Sequence, residues 1–153
     1  MTTFLDSNIV IALINDNEPN HAWSVNELIA RKTQGPAVIS DVVYSEITAT
    51  MKDVAEVNSV IEALGLERYP SKDVALFRAG RAFKEYRDRT KGQQKSGVLP
   101  DFFIGAIAEV ENAPLMTDNS RDFVGYFPSV ALITPPKPVT LPAVLPANAR
   151  AAE

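Results

Sequence analysis

The sequence predicts one α/β domain built on a mostly parallel sheet, and three observations carry that prediction. Short apolar runs of strand character alternate with longer segments whose apolar residues recur at three- and four-residue spacing. The chain has 153 residues, the length of one compact core, and its 46% hydrophobic content is enough to fill that core. Nothing in it reads as an internal repeat, a Gly-rich phosphate loop or a heptad array.

Thr2 to Asp6 reads as a strand closed by an acid, and Ile9, Val10, Leu13 and Ile14 then follow at helical spacing. Asp6 is thereby expected at the C-terminal end of the first strand. Asn17 to Asn20 is a breaker-rich link, after which Ala22, Val25, Leu28 and Ile29 mark a second amphipathic helix that stops near Gly35-Pro36. Ala37-Val38-Ile39 is the second strand. Ser40 or Asp41 can cap a third helix over Asp41 to about Met51, with Val42, Val43 and Ile47 as its apolar positions.

Val54, Val57, Ile61 and Leu64 continue the helical period up to Gly65, and Leu66 to Tyr69 reads as either a short strand or an extended connection. A long charged helix over Lys72 to Arg89 dissolves into the polar stretch Thr90 to Gly97, which has the composition of a mobile segment. Leu99-Pro100-Asp101 opens a helix with apolar residues on more than one side, the mark of a buried central helix. Ala113 to Thr117 and Val130 to Thr134 are the last two strands. The domain is therefore set at residues 1–136. Prolines crowd residues 137–153 and prevent a regular helix or central strand, so this part is expected to be an extended or disordered tail.

Composition excludes several classes of chemistry. Without cysteine there is no disulfide framework, thiolate nucleophile or Cys-based metal site. The N-terminus lacks a signal peptide's basic and apolar regions, and no apolar run approaches the roughly 20 residues that span a bilayer, so a cytoplasmic protein with no membrane partner is expected. A net charge of -4 leaves nucleic-acid contact to a local patch. The single histidine, His21, stands beside neither acid-bearing segment and is read as a packing or surface residue.

Carboxylates recur where this architecture gathers chain segments: Asp6 after the first strand, Glu46 in the third helix, and Asp101 at the start of the central helix. Taken singly, each has an ordinary reading, as a helix cap, a solvated helix residue and a favourable N-terminal charge respectively. Asp101 shares a helical face with Ile104, Gly105 and Ala108, small enough in part to admit another backbone. Packed together, such acids repel one another unless a cation neutralises them. Oxygen-only ligation suits Mg2+ or Mn2+, ions that activate water and stabilise a phosphodiester under attack.

Phe4-Leu5-Asp6-Ser7-Asn8, Ser40-Asp41-Val42-Val43-Tyr44-Ser45-Glu46-Ile47 and Pro100-Asp101-Phe102-Phe103-Ile104-Gly105-Ala106 resemble, in this order, the successive motifs of PIN domains, and of VapC-type toxins in particular. The resemblance runs from about Thr3 to Pro135, because Leu115-Met116-Thr117-Asp118-Asn119-Ser120-Arg121-Asp122-Phe123 and Tyr126-Phe127-Pro128 are similar to the family's last motif. It implies a three-layer fold with a short-stranded sheet between helices, and a Mg2+- or Mn2+-dependent endoribonuclease that works as the toxin of a toxin–antitoxin pair. Asp6, Glu46 and Asp101 match the family's first three acids, with Asn8, Thr117 and Asn119 in support.

The fourth acid departs from the pattern: many relatives have aspartate two residues after the threonine that matches Thr117, where this chain has Asn119. Asp118 is the nearest substitute and completes the expected metal set of Asp6, Glu46, Asp101 and Asp118. Asp122 is the other catalytic candidate. The resemblance further implies a homodimer and an antitoxin whose peptide covers the acidic groove.

Arg81, Lys84, Arg87 and Lys91 form the expected RNA-binding track, with Lys84, Arg87 and Lys91 on one helical face. Two alternatives stand beside the toxin: a PIN-like module that binds RNA or protein without cleaving, and a PIN nuclease of RNA processing with no antitoxin.

Overall fold

The computed structural model describes residues 1–93 and 97–137. Residues 94–96 of the polar stretch and the expected tail from 138 to 153 lie outside the described residues. Five short strands make one sheet: β1 (Thr3–Leu5), β2 (Ala37–Ser40), β3 (Glu67–Tyr69), β4 (Leu115–Met116) and β5 (Leu132–Ile133). Their order is β3-β2-β1-β4-β5, and every pairing is parallel, with Phe4 opposite both Val38 and Leu115.

Every residue of β1 and β2 is buried. Successive strand side chains point to opposite faces, so both faces of the sheet are covered, as a parallel sheet crossed by helices requires. Fully buried Leu5 and Ile39 each contribute roughly 1.5–3 kcal/mol relative to exposure. The cover comes from α1 (Ser7–Ile14), α2 (His21–Lys32), α3 (Asp41–Ile47), α4 (Val54–Ala63), α5 (Asp73–Thr90), α6 (Leu99–Val110) and the short α7 (Arg121–Val124). Among the described residues no helix is long and apolar enough to cross a membrane.

The chain builds outward from β1 through β2 to β3, then returns to β1's other side for β4 and β5. The strand order therefore reverses between β1 and β4, and the crevice beyond their C-terminal ends is where open α/β sheets bind ligands. Asp6 follows β1 there, and Thr117 follows β4.

Several sequence expectations change in detail. The third helix stops at Ile47 and continues to Thr50 only as a 3-10 turn, where the Thr48 hydroxyl donates to Ser45 O at 2.6 Å and competes with the α-helical ladder. Residues 67–69 take the strand rather than the extended alternative, and the last two strands shrink to two residues each. Lys91 lies beyond α5 in a left-handed cap (φ 45°), so it does not share a helical face with Lys84 and Arg87. α7 has no counterpart among the expected elements, because four residues are too few to show a period.

The central helix α6 is buried on most sides, through Phe102, Ile104, Gly105, Ala106, Ile107 and Ala108. Gly105 admits a side chain rather than the expected backbone: a Cβ at this position would lie 2.4 Å from the Phe127 ring. That ring is seated on the glycine. Arg78 of α5 stands 4.9 Å over the same ring, donates to Glu109 Oε1 at 2.6 Å, and donates to the Tyr126 carbonyl at 2.8 Å. Together these contacts fix the turn that follows α7 against α6.

Candidate active site

Asp6 is the N-cap of α1 and is almost wholly buried. Its Oδ1 accepts the Ser7 amide at 2.7 Å, and its Oδ2 accepts the Thr117 hydroxyl at 2.8 Å and the Asn8 amide at 3.1 Å. Thr117 Oγ1 in turn accepts the Asn119 backbone amide at 3.1 Å, and Asn8 Oδ1 accepts the Asp118 amide at 3.2 Å. The ends of β1 and β4 are thus stitched together through Asp6. Burial pushes the Asp6 carboxyl above the usual range and the Asp118 charge adds to this, against the pull of the Thr117, Ser7 and Asn8 donors. The ordinary capping reading of Asp6 holds, and Asn8 and Thr117 both donate to its carboxylate.

Glu46 projects from α3, held by the Ser40 cap, whose hydroxyl accepts the Val43 amide at 3.3 Å. The residue is exposed overall, yet its carboxyl end is partly withdrawn from water. That desolvation and the charge of Asp6 raise its pKa, while a hydrogen bond from Ser7 lowers it. Ser7 thus joins Asp6 to Glu46, a link that no sequence motif announced.

Asp101 lies in the first turn of α6, just after Pro100. Burial raises its pKa to about 7, reinforced by the charge of Asp122, then by Asp6, by a hydrogen bond shared with Asp122, and by Glu46. One carboxyl therefore registers three others, from β1, α3 and α7. Asp122 sits in the first turn of α7 and also accepts a short hydrogen bond from the Asn119 side chain.

Asp118 acts on Asp6 but is not among the groups that raise Asp101. It is exposed, and its raised pKa comes from partial burial and from Glu18, on the link between α1 and α2. Of the two fourth-acid candidates, Asp122 is the one in contact with Asp101. Asn119, in the place where relatives have an acid, orients Asp122. As placed, and among the described residues, no three acidic or histidine side chains stand close enough to hold an ion between them.

The basic residues of α5 are exposed and largely engaged locally. Lys84 pairs with Asp88 at 2.8 Å, while the guanidinium groups of Arg81 and Arg87 lie 5.0 and 5.8 Å over the rings of Phe77 and Phe83. The end of α5 reaches the acids nonetheless, because Tyr86 and Thr90 line a groove shared with Asp101 and Asp122. His21 Nδ1 lies 2.7 Å from the Ala12 carbonyl and ties α2 to α1, in keeping with a packing role.

The PIN domain family profile matches residues 3–126, most of the chain. The chain belongs to the PIN domain family. No curated protein matches it in sequence. Among solved structures, this PIN domain is similar to VapBC2 from Rickettsia felis bound to a DNA fragment from its promoter, at 23% identity over 88% of this chain and 98% of that one, TM-score 0.66. DNA-bound VapBC from Salmonella typhimurium gives 24% identity with the same coverage and a TM-score of 0.63. Mycobacterium tuberculosis VapC20, a sarcin-ricin loop cleaving toxin, gives 16% identity over 84% of this chain and 98% of that one, TM-score 0.57. At these identities the likeness is one of fold.

Proposed function

We propose that this PIN domain is a Mg2+- or Mn2+-dependent endoribonuclease and the toxin of a toxin–antitoxin pair. The observation that carries the reading is the meeting of acids from four separate elements at the topological switch point, where burial first, and then Asp122, Asp6 and Glu46, raise Asp101 to about 7. A fold needs no such cluster of like charges, and a catalytic centre that neutralises them with a cation does.

The donor set fits a hard divalent cation, because it is all oxygen. Asp6, Glu46 and Asp101 are the holding residues, with Asp122 taking the fourth place in preference to Asp118. A divalent ion bound there supplies Lewis-acid stabilisation of the phosphodiester and lowers the pKa of a bound water. The chain's own part is positional. Asn8 and Thr117 donate to Asp6 and hold it turned, Ser7 orients Glu46, and Asn119 orients Asp122. The basic groups of α5, Arg81, Lys84, Arg87 and, past its end, Lys91, provide the phosphate contacts that a net-negative protein otherwise lacks.

The toxin assignment and an antitoxin partner draw support from the similar structures, several of which are toxin–antitoxin complexes. A homodimer and a cytoplasmic setting belong to the same reading. The lack of a ready three-acid cage, together with Asn119, favours one rival, a PIN module that binds without cleaving. Purified protein incubated with total RNA separates the two. Cleavage with Mg2+ or Mn2+ that a chelator abolishes is the expected result, and intact RNA under all three conditions would leave the binding module standing.

A further inference from the structure

Beside Asp101 and Asp122 lies a groove of about 260 Å³ lined by α5, α6 and α7, by Gln93 and Val98, and by the turn at Gly125 and Tyr126. Its size suits one ring system, being just under the roughly 300–1,000 Å³ of pockets for larger ligands. Three aromatic rings form its wall. Phe102 and Tyr126 are 5.1 Å apart at 70°, Tyr86 and Phe102 are 5.5 Å apart at 51°, and Tyr86 and Tyr126 are 6.1 Å apart at 76°. Mutually tilted rings make a corner rather than a closed stack. Phe102 is its buried floor, and both tyrosines are half-buried.

Polar groups stand at the mouth. Gln93 offers an amide that donates and accepts, and Arg121 brings positive charge to a rim that the two acids make negative. A second cation, Arg89, is paired with Glu85 and lies 5.5 Å over the Tyr126 ring. Aromatic walls, an amide edge-reader and flanking guanidinium groups suit a flat ligand with apolar faces, polar edges and a phosphate on either side. An apolar protein side chain would use the rings alone.

We infer that this groove is a subsite for one unstacked nucleobase of single-stranded RNA, belonging to a nucleotide next to the phosphodiester at the acidic centre. The inference rests on the nuclease reading for its choice of ligand, because Asp101 and Asp122 are a wall common to groove and centre. A base inside a duplex is stacked and cannot enter, so the subsite selects loops and unpaired segments.

Short unstructured RNAs carrying a single abasic nucleotide at successive positions test it, with wild type, Tyr126→Leu and Gln93→Ala compared. In wild type, the abasic nucleotide should raise KM about tenfold at one position beside the cleaved bond, the scale of losing one base from an aromatic platform. In Tyr126→Leu, intact and abasic RNAs should become equivalent at that position. Should Tyr126→Leu melt early, Gln93→Ala at the exposed mouth carries the test through a several-fold loss of the same discrimination. Equal sensitivity of wild type and both variants at every position would overturn the subsite, and is the pattern expected if the groove receives a protein side chain instead. Should wild type leave RNA intact, the nuclease reading fails by itself. The same oligonucleotides then report binding by fluorescence anisotropy with Ca2+: discrimination lost in the variants keeps the subsite, and equal binding removes it.

Discussion

At Asp6 three donors converge on one carboxylate, whereas the hydrogen-bonding partner that raises Asp101 is another acid, Asp122. The first region is finished by its own hydrogen bonds, and β1 and β4 depend on it for their junction. The second is left with repulsion that a cation or a proton must relieve. The two carboxylates therefore differ in what they do for the fold. Asp6 ties the end of β1 to the end of β4, while Asp101 adds like-charge repulsion that costs stability.

The sharpest way to break this comparison is kinetic. Asp101→Asn should lower metal-dependent RNA cleavage by more than about a hundredfold, beyond the 10–100-fold that loss of an orienting partner costs, which is the range expected for Asn8→Ala. Rates measured on one RNA for both variants check the order, and an Asn8→Ala effect larger than that of Asp101→Asn would reverse the assigned roles.

A second test acts on the packing that presents Asp122. Gly105→Ala sets a methyl group into the Phe127 ring, which is buried and held under Arg78, and should cost about 1–3 kcal/mol in chemical denaturation. Cleavage should fall further than the stability change explains, because the turn that follows α7 must move. Unaltered stability would mean that the ring yields freely.

The third contrast is smaller and concerns pH without metal. Folded Asp101 keeps its proton to about 7, while the unfolded chain releases it near 3.8. The folded state therefore binds the additional proton between those values, and its stability contribution is full below the window and lost as pH rises through it. Asp6 and Glu46, also raised, act in the same direction. In chelator, Asp101→Asn should remove part of this decline and be about 0.5–2 kcal/mol more stable than wild type near neutrality. Asp6→Ala should instead lose stability at every pH, since it strands the Thr117 and Asn8 donors. Parallel melting curves for wild type and Asp101→Asn across the pH range would contradict the repulsion.

Much of this was readable from residues alone. The alternation of short apolar runs with segments of period 3.6 gave the element order, and Asp6 after the first strand, Glu46 in the third helix and Asp101 at the start of the central helix were the acids to look for. What escaped depends on contacts distant in sequence. Whether Asp118 or Asp122 meets Asp101 is decided by how α7 docks, and that docking rests on Phe127 seated on Gly105 and on Arg78 reaching the Tyr126 carbonyl. None of these has a local signature. Gly105 announced a close approach but not its identity. Lys91 looked helical by spacing because a left-handed cap leaves no mark in the apolar pattern. The Ser7 link to Glu46 and the Glu18 influence on Asp118 likewise exist only once α1, α3 and the loop after β4 are brought together.

The hydrogen bond from Thr117 to Asp6 spans 111 residues of sequence. On a ribosome, the first acid is made almost at once, but the strand and the hydroxyl that fix it emerge only after most of the domain has been synthesised. At about 5–20 residues per second, several seconds separate the two events, and contacts this far apart in the chain are slow to form even once both ends are free. A nascent or prematurely terminated chain thus holds Asp6 and Glu46 with no assembled junction between β1 and β4. The junction between β1 and β4 is complete only when translation has passed Thr117.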